Sequence, residues 1–324
     1  MTSRRQFVVA GAFGALGLSG AFAQSRRVRI GVLLARPFKE SFFAPGVVQR
    51  LAEVGYRPGT SLLVEHRSAD GDTERFPKLA RELVEAKCDV LFAIGPHHAA
   101  RALQAAASST PIVFLAVDYD PLEIGIVTSL TKPDRNTTGV YMPVGELAAK
   151  RLEILREIVP KAQRFLVLSD VFSRDQVPAV QAAARTSKVE VTVIDLGRQP
   201  YDFAAAFAAG QRAQVEAFVG LTSPAFANQA SEIGAFVGRH RLPSAGWTTN
   251  LERLGFLIGY SADSFKAARK TADLAARILK GAKPADIPVE QVDEFELVIN
   301  GPVARNLNLK IPESVMARAT RIIS

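Results

Sequence analysis

One cysteine in 324 residues, Cys88, leaves no partner for an intramolecular disulfide, so the core alone must hold the fold. Placed just before an apolar run, Cys88 reads as a small core residue. Histidine is also scarce: there are four, two of them the neighbours His97 and His98. Adjacent side chains diverge, and no helical His-x-x-x-His pair exists, so no zinc site is expected. No G-x-S-x-G elbow and no phosphate loop ending in Gly-Lys-Ser/Thr is present. Nothing ligates a haem or a cluster. Together these absences predict a protein without a cofactor. No basic run exceeds two residues, and acids and bases are interspersed, which argues against a nucleic-acid footprint. Beyond the N-terminus no apolar stretch reaches the eighteen or so residues of a membrane span.

The N-terminus does carry a pattern. Ser3-Arg4-Arg5-Gln6-Phe7-Val8 precedes an uncharged run rich in Gly and Ala over residues 9–22, and Ala21-Phe22-Ala23 supplies small residues for a peptidase. This order predicts a secretory signal cleaved near Ala23, and the paired arginines resemble a twin-arginine signal. No Cys follows the run, so a lipid anchor is not expected. Gly11, Gly14, Gly17 and Gly20 imitate a nucleotide loop, but no strand precedes them and no acidic ribose partner follows. Without Arg4 and Arg5 the formal charge falls from +8 to +6. A field of that size attracts an anionic solute only weakly.

From Val28 onward, short apolar runs alternate with amphipathic segments. Strands are predicted at 28–35, 62–68, 89–94, 111–117 and 136–142, with helices at 45–56, 97–108 and after Asp72 or Thr73. The order restarts with a helix at 146–158, strands at 164–170, 189–196, 216–221 and 242–247, and helices between them. The tail runs through "FLIGYSAD" (256–263), a helix at 264–280, a proline-stiffened stretch at 281–291, a strand at 294–300 and two short helices. Helices alternating with apolar strands imply an α/β fold of parallel sheets covered on both faces. Two such series imply two Rossmann-like lobes, with the stiff stretch passing between them.

The segment "AARILKGAKPADIPVEQVDEFELVINGPVARNLNLKIPESVMARATRII" (275–323) resembles the end of the ABC-transporter substrate-binding family that includes tryptophan- and tyrosine-binding members. The resemblance extends through "GDTERFPKLARELVEAKCDVLFAIG" (71–95), "TPIVFLAVDYDPLEIGIVTSL" (110–130) and "NTTGVYM" (136–142), so it covers essentially the whole mature chain. Val292 replaces a usual Pro, and Asn306-Leu307-Asn308-Leu309 stands where "LGL" is usual. The resemblance implies a type I periplasmic-binding-protein architecture with three crossovers. Lobe 1 would take residues 28–139 plus about 262–290, and lobe 2 residues 140–261 plus about 291–324. It also implies a periplasmic, monomeric protein that captures a small-molecule solute, an amino acid or aromatic acid being favoured, and serves a membrane ABC permease. A sensor feeding a membrane receptor would use the same clamp.

Open α/β sheets bind ligands beyond the carboxyl ends of their strands. That rule nominates Arg36, Phe38 and Phe42 after the first strand, and Gly95 and His97 after the third. It nominates Asp118, Tyr119 and Asp120 after the fourth, and Tyr141 near the first crossover. The second half offers Phe172, Thr222, Ser223, Trp247 and Asn250. Aromatic rings give planes for stacking, Arg36 can fork onto a carboxylate, and Asp118 or Asp120 can pair with an ammonium. The two carboxylates of "VDYDP" also admit another reading, a secreted α/β enzyme using Asp118 and Asp120 as an acid/base pair. That reading needs a metal or third group that the sequence does not show. Asp120-Pro121 equally fits a turn.

Overall fold

The computed structural model describes residues 27–324 apart from 42, 118 and 134; the expected leader, Phe42 and Asp118 therefore lie outside the described residues. The first sheet begins with β1 (Val28–Leu34), β2 (Leu62–Ser68), β3 (Val90–Gly95), β4 (Ile112–Ala116) and β5 (Thr137–Tyr141), linked by α1 (Ala44–Glu53), α2 (Phe76–Glu85) and α3 (His97–Ala106). The chain then crosses and builds the second sheet from β6 (Arg164–Ser169), β7 (Glu190–Asp195), β8 (Ala217–Gly220), β9 (Ser244–Gly246) and β10 (Ile258–Ala262). Its helices are α4 (Val144–Ile158), α5 (Val177–Ser187), α6 (Phe203–Arg212), α7 (Pro224–Asn228) and α8 (Ala230–Arg239). A second crossing follows β10: α9 (Ser264–Leu279) packs on α1, β4 and β5, and β11 (Glu290–Gln291) pairs with β5. The third crossing returns the chain to β12 (Phe295–Asn300), α10 (Gly301–Asn306), α11 (Glu313–Met316) and β13 (Arg321–Ile323).

Strand order is β11-β5-β4-β3-β1-β2 in the first sheet and β13-β12-β10-β9-β8-β6-β7 in the second. The predicted α/β fold with mostly parallel sheets is what the structure shows, with two departures. β12 runs antiparallel to β10, because it enters the second sheet from the crossing rather than through a helical crossover. The tail also ends in a strand, β13, beyond the two predicted short helices.

Each strand feeds both faces of its sheet with period two. Ile30, Val32 and Leu34 of β1 point into a core with α1 and α9, whereas Leu33 points to one with α2 and α3. In the second sheet Phe165 and Val167 join α4 and α5, and Leu166 and Leu168 join α6 and α8. Cys88 lies in the first sheet's α2–α3 core, where burial pushes its thiol up to about 11. Arg151 breaks the sequence pattern of α4: an arginine in a helix reads as solvent-facing, yet it is completely buried.

Gly234 of α8 lies so close to the Leu254 carbonyl that a Cβ would collide with backbone. Gly234→Ala is expected to cost about 2–3 kcal/mol, typical of overpacking, read as a lower denaturant midpoint with unchanged slope. An unchanged midpoint would show that α8 retreats without penalty.

Candidate functional site

A cavity of about 580 Å³ opens between the two sheets. Its first wall comes from the end of β1 (Leu34, Ala35, Arg36), from Ser41 and Phe43, from Gly46 and Gln49 of α1, and from Ile94, Gly95 and Val117. The second wall consists of Thr222, Ser223, Pro224, Ala227, Trp247 to Asn250, Ser261 and Glu296. Met142 near the first crossing and Asp263, Ser264 and Phe265 at the second complete it.

Local chemistry fixes these loops. Ser41 Oγ accepts from the N–H groups of Phe43 and Ala44, at 3.2 and 3.1 Å, and so starts α1. Asp263 caps α9 in the same way, accepting from Phe265 and Lys266 at 2.9 and 3.0 Å. Gly95 has φ +107°, a conformation that admits glycine at the turn into α3. Trp247 is 6 % exposed and packs on Phe256 and Phe226, with centroids 5.4 and 6.1 Å apart. Gly220 makes room for it, since a Cβ there would meet the indole ring. The indole is thus a fixed wall, while Phe265, 49 % exposed, stands at the rim.

Two buried polar centres hold the second wall. Asp170, at the end of β6, accepts from the Phe172 N–H at 3.1 Å and from the hydroxyls of Ser173, Tyr201 and Ser223 at 2.7, 2.8 and 2.5 Å. Burial, then the Asp170 charge and hydrogen bond, push the Tyr201 phenol far up, so it stays a donor. Gln176 holds Thr222 by both backbone groups, accepting from its N–H at 2.9 Å and donating to its carbonyl at 2.7 Å. Arg151 donates to the Tyr260 and Gly220 carbonyls at 2.8 and 3.1 Å and to Thr222 Oγ1 at 3.2 Å. On the first wall, burial lowers the Arg36 pKa, with Glu40 opposing.

Of the sequence-nominated residues, Arg36, Gly95, Thr222, Ser223, Trp247 and Asn250 line this cavity. The others with described positions lie elsewhere. Phe38 stacks on His66, centroids 5.0 Å apart. His97 stacks on His98 at 4.0 Å and meets the edge of Tyr119 at 6.0 Å. Tyr119 is 3 % exposed in the α2–α3 core. Asp120 Oδ1 accepts from the N–H groups of Leu122 and Glu123 at 2.7 and 3.2 Å, which makes it a turn-former. Tyr141 donates to Gln291 Oε1 at 2.8 Å, joining the first and third crossings. Phe172 is buried against the edge of His98, 6.3 Å away, a contact between the two halves.

Sequence reasoning passed over Ser41, Phe43, Gln49, Ser261, Asp263, Phe265 and Glu296. Asp263 was within reach of the strand-end rule, as an N-cap directly after an apolar run. Glu296 was not, because β12 is antiparallel and its amino end faces the cavity beside Ser261.

The sequence matches the profile described as ABC transporter substrate binding protein over residues 32–323. A tyrosine-binding protein of Clostridioides difficile (strain R20291) is 26% identical over 270 residues, 82% of this chain and 76% of that protein. A domain solved in complex with L-Trp from Streptococcus pneumonia superposes with a TM-score of 0.81 at 24% identity, covering 92% of this chain and 100% of that one. A conserved domain protein from Vibrio cholerae gives the same values. The fold is also that of periplasmic binding proteins of type I. The chain belongs to the ABC transporter substrate-binding protein family.

Proposed function

We propose that the protein captures a small solute between two lobes that close about the three crossings, and delivers it to a membrane ABC permease. The observation that carries this reading is the cavity itself, about 580 Å³ and lined by loops of both sheets. Pockets of that size hold small molecules and are typically apolar with a few placed polar groups. Here Trp247, Phe43 and Phe265 offer apolar planes, and Arg36, Asp263 and Glu296 offer charges of both signs. That chemistry suits an amino acid or aromatic acid, in keeping with the tyrosine and L-Trp named for two of its relatives. The leader pattern supports export to the periplasm. The lobes divide near residues 140, 262 and 291, where the chain crosses between sheets.

Away from the crossings the halves touch through the segments that follow the edge strands β2 and β7. Glu74 pairs with Arg198 at 3.1 Å, Gln199 lies against Gly71, and Phe172 meets His98 nearby. Ligand bridging both walls would add to these contacts and shift the population toward the closed form.

Phe265→Ala tests the clamp, because the ring is exposed and its loss leaves the core intact. The empty protein is expected to melt as wild type does, whereas solute affinity falls about tenfold, the scale of one aromatic contact. Affinity is read from the fluorescence of Trp247, the single tryptophan. Scattering should show compaction on binding; tight binding without compaction would rule out hinge closure.

The lobe contact also predicts a pH dependence. Burial, then the charges of His97, Arg198 and Arg101, lower the His98 pKa to about 4, with Glu74 opposing. Burial likewise lowers His97, with Asp175 opposing. The unfolded chain takes up a proton near 6.5 that the folded protein refuses until about 4. Stability is therefore full above about 6.5 and declines as pH falls toward 4. His98→Gln should flatten that decline in melting temperature. A parallel decline in variant and wild type would refute the assignment.

A further inference from the structure

The cavity's second wall hides a charge with no counter-charge. Arg151 is 0 % exposed, and no carboxylate of the described residues lies within ion-pairing distance of its guanidinium. Burial pushes its pKa down to about 9, which still leaves it protonated at neutral pH. Its three hydrogen bonds all go to neutral acceptors: the Tyr260 and Gly220 carbonyls and the Thr222 hydroxyl. Taking a cation out of water is costly, and neutral acceptors offset only part of that cost.

The Thr222 bond also sets a polarity. A hydroxyl has one proton to donate. Arg151 Nη2 donates into Thr222 Oγ1, so that oxygen acts as an acceptor toward the interior and keeps its proton for another direction. Thr222 Oγ1 donates to no group among the described residues, and Thr222 lines the cavity. The adjacent Ser223 is the opposite case. Its proton is committed to Asp170 Oδ2 at 2.5 Å, and its oxygen accepts from Ala225 and Phe226. Gln176 fixes the Thr222 backbone at this wall through its N–H and carbonyl, and the Arg151 bond holds its hydroxyl. The wall therefore presents a hydrogen-bond donor polarised by a full positive charge directly behind it. The charge also sits behind Ser261, the cavity residue that follows Tyr260.

We infer that Thr222, backed by Arg151, is the site for an anionic group of the solute, a carboxylate in the first instance, and that Arg151 is the positioning residue that makes the cleft select anions. Closure removes water from this wall and strengthens the attraction across the short Thr222 bridge. The inference rests on the solute-clamp reading and assigns the anion to the second lobe rather than to Arg36.

The test is a melting-shift screen of the mature protein with anionic, neutral and cationic solutes. It includes the matched pairs phenylacetate and phenylacetamide, and L-phenylalanine and L-phenylalaninamide. Affinities of all hits and their amides are then measured by Trp247 fluorescence. Wild type should prefer carboxylate to carboxamide at least tenfold. That preference should persist in Thr222→Ser and Arg151→Lys, and fall below about threefold in Thr222→Val and Arg151→Met. Should Arg151→Met fail to fold, Thr222→Val, which keeps Arg151, carries the comparison. Hits that are neutral or cationic, with no preference between acid and amide, would overturn the inference while leaving the clamp intact. So would a preference that survives Thr222→Val but vanishes in Arg36→Met. A library in which nothing binds would instead bring down the clamp reading itself.

Discussion

Parallel pairing governs everything else in this molecule. When strands run the same way, all their carboxyl ends leave the sheet along one edge, and the loops there are released from the ladder. Two such sheets placed edge to edge turn those loops toward a common space. The Arg36, Gly95, Thr222 and Trp247 loops owe their convergence to this geometry rather than to proximity in sequence. Two strands of the second sheet, β12 and β13, run against the other five, and β12 complements the parallel geometry. Running backward, β12 brings Glu296 to the same edge from its amino end, opposite Ser261. The binding space thus receives an acid that no strand-end loop supplies.

Loops freed from a ladder need other restraints, and two buried ionisable groups provide them. Asp170 gathers three hydroxyls and a backbone N–H around the end of β6, so its charge is met by hydrogen bonds rather than by a cation. Arg151 ties α4 to β8, β10 and Thr222. The two centres are close in chain terms at Thr222 and Ser223, each gripping one of the neighbours. One side chain is bound as a donor and the other as an acceptor. The cavity wall consequently has a hydrogen-bond polarity decided behind it. Small residues complete the restraint: Gly220 of β8 lets the indole of Trp247 approach closely, and Gly246 of β9 does the same for Phe256.

Much of this was readable from sequence because it is periodic. β2 falls at 62–68 as predicted, and α9 begins at Ser264, directly after the acidic cap. Of the residues the strand-end rule nominated, Arg36, Gly95, Thr222, Ser223, Trp247 and Asn250 line the cavity. The rule could not tell which way a side chain leaves a loop. Gly95 and His97 are two residues apart, yet the first turn of α3 carries His97 away from the cavity toward His98 and Tyr119. Asp120 has the composition of a binding group and the geometry of a turn. Arg151 was illegible for a deeper reason. Amphipathic patterning counts an arginine as solvent-facing, and only the tertiary arrangement of three acceptors reveals that it points inward.

In the proposed closure, the energetics follow from where the strong and weak contacts lie. The crossings are braced by Tyr141 with Gln291, Lys270 with Asp293 and Lys266 with Glu294, all beside the chain segments that join the sheets. Such braces bias the angle between lobes but do not span the cavity. At the far edge, the Glu74–Arg198 pair is mostly exposed, with side chains 74 % and 62 % accessible, and exposed pairs contribute about 0–1 kcal/mol. That pair alone cannot hold two lobes together against their loss of orientational freedom. The decisive energy must come from whatever fills the cavity and touches both walls, and a ligand shifts such an equilibrium only by its differential affinity for the two states. A wall with fixed aromatics and a polarised donor on one lobe, facing Arg36 on the other, makes that differential large for a solute that reaches both. It makes it small for one that reaches only one.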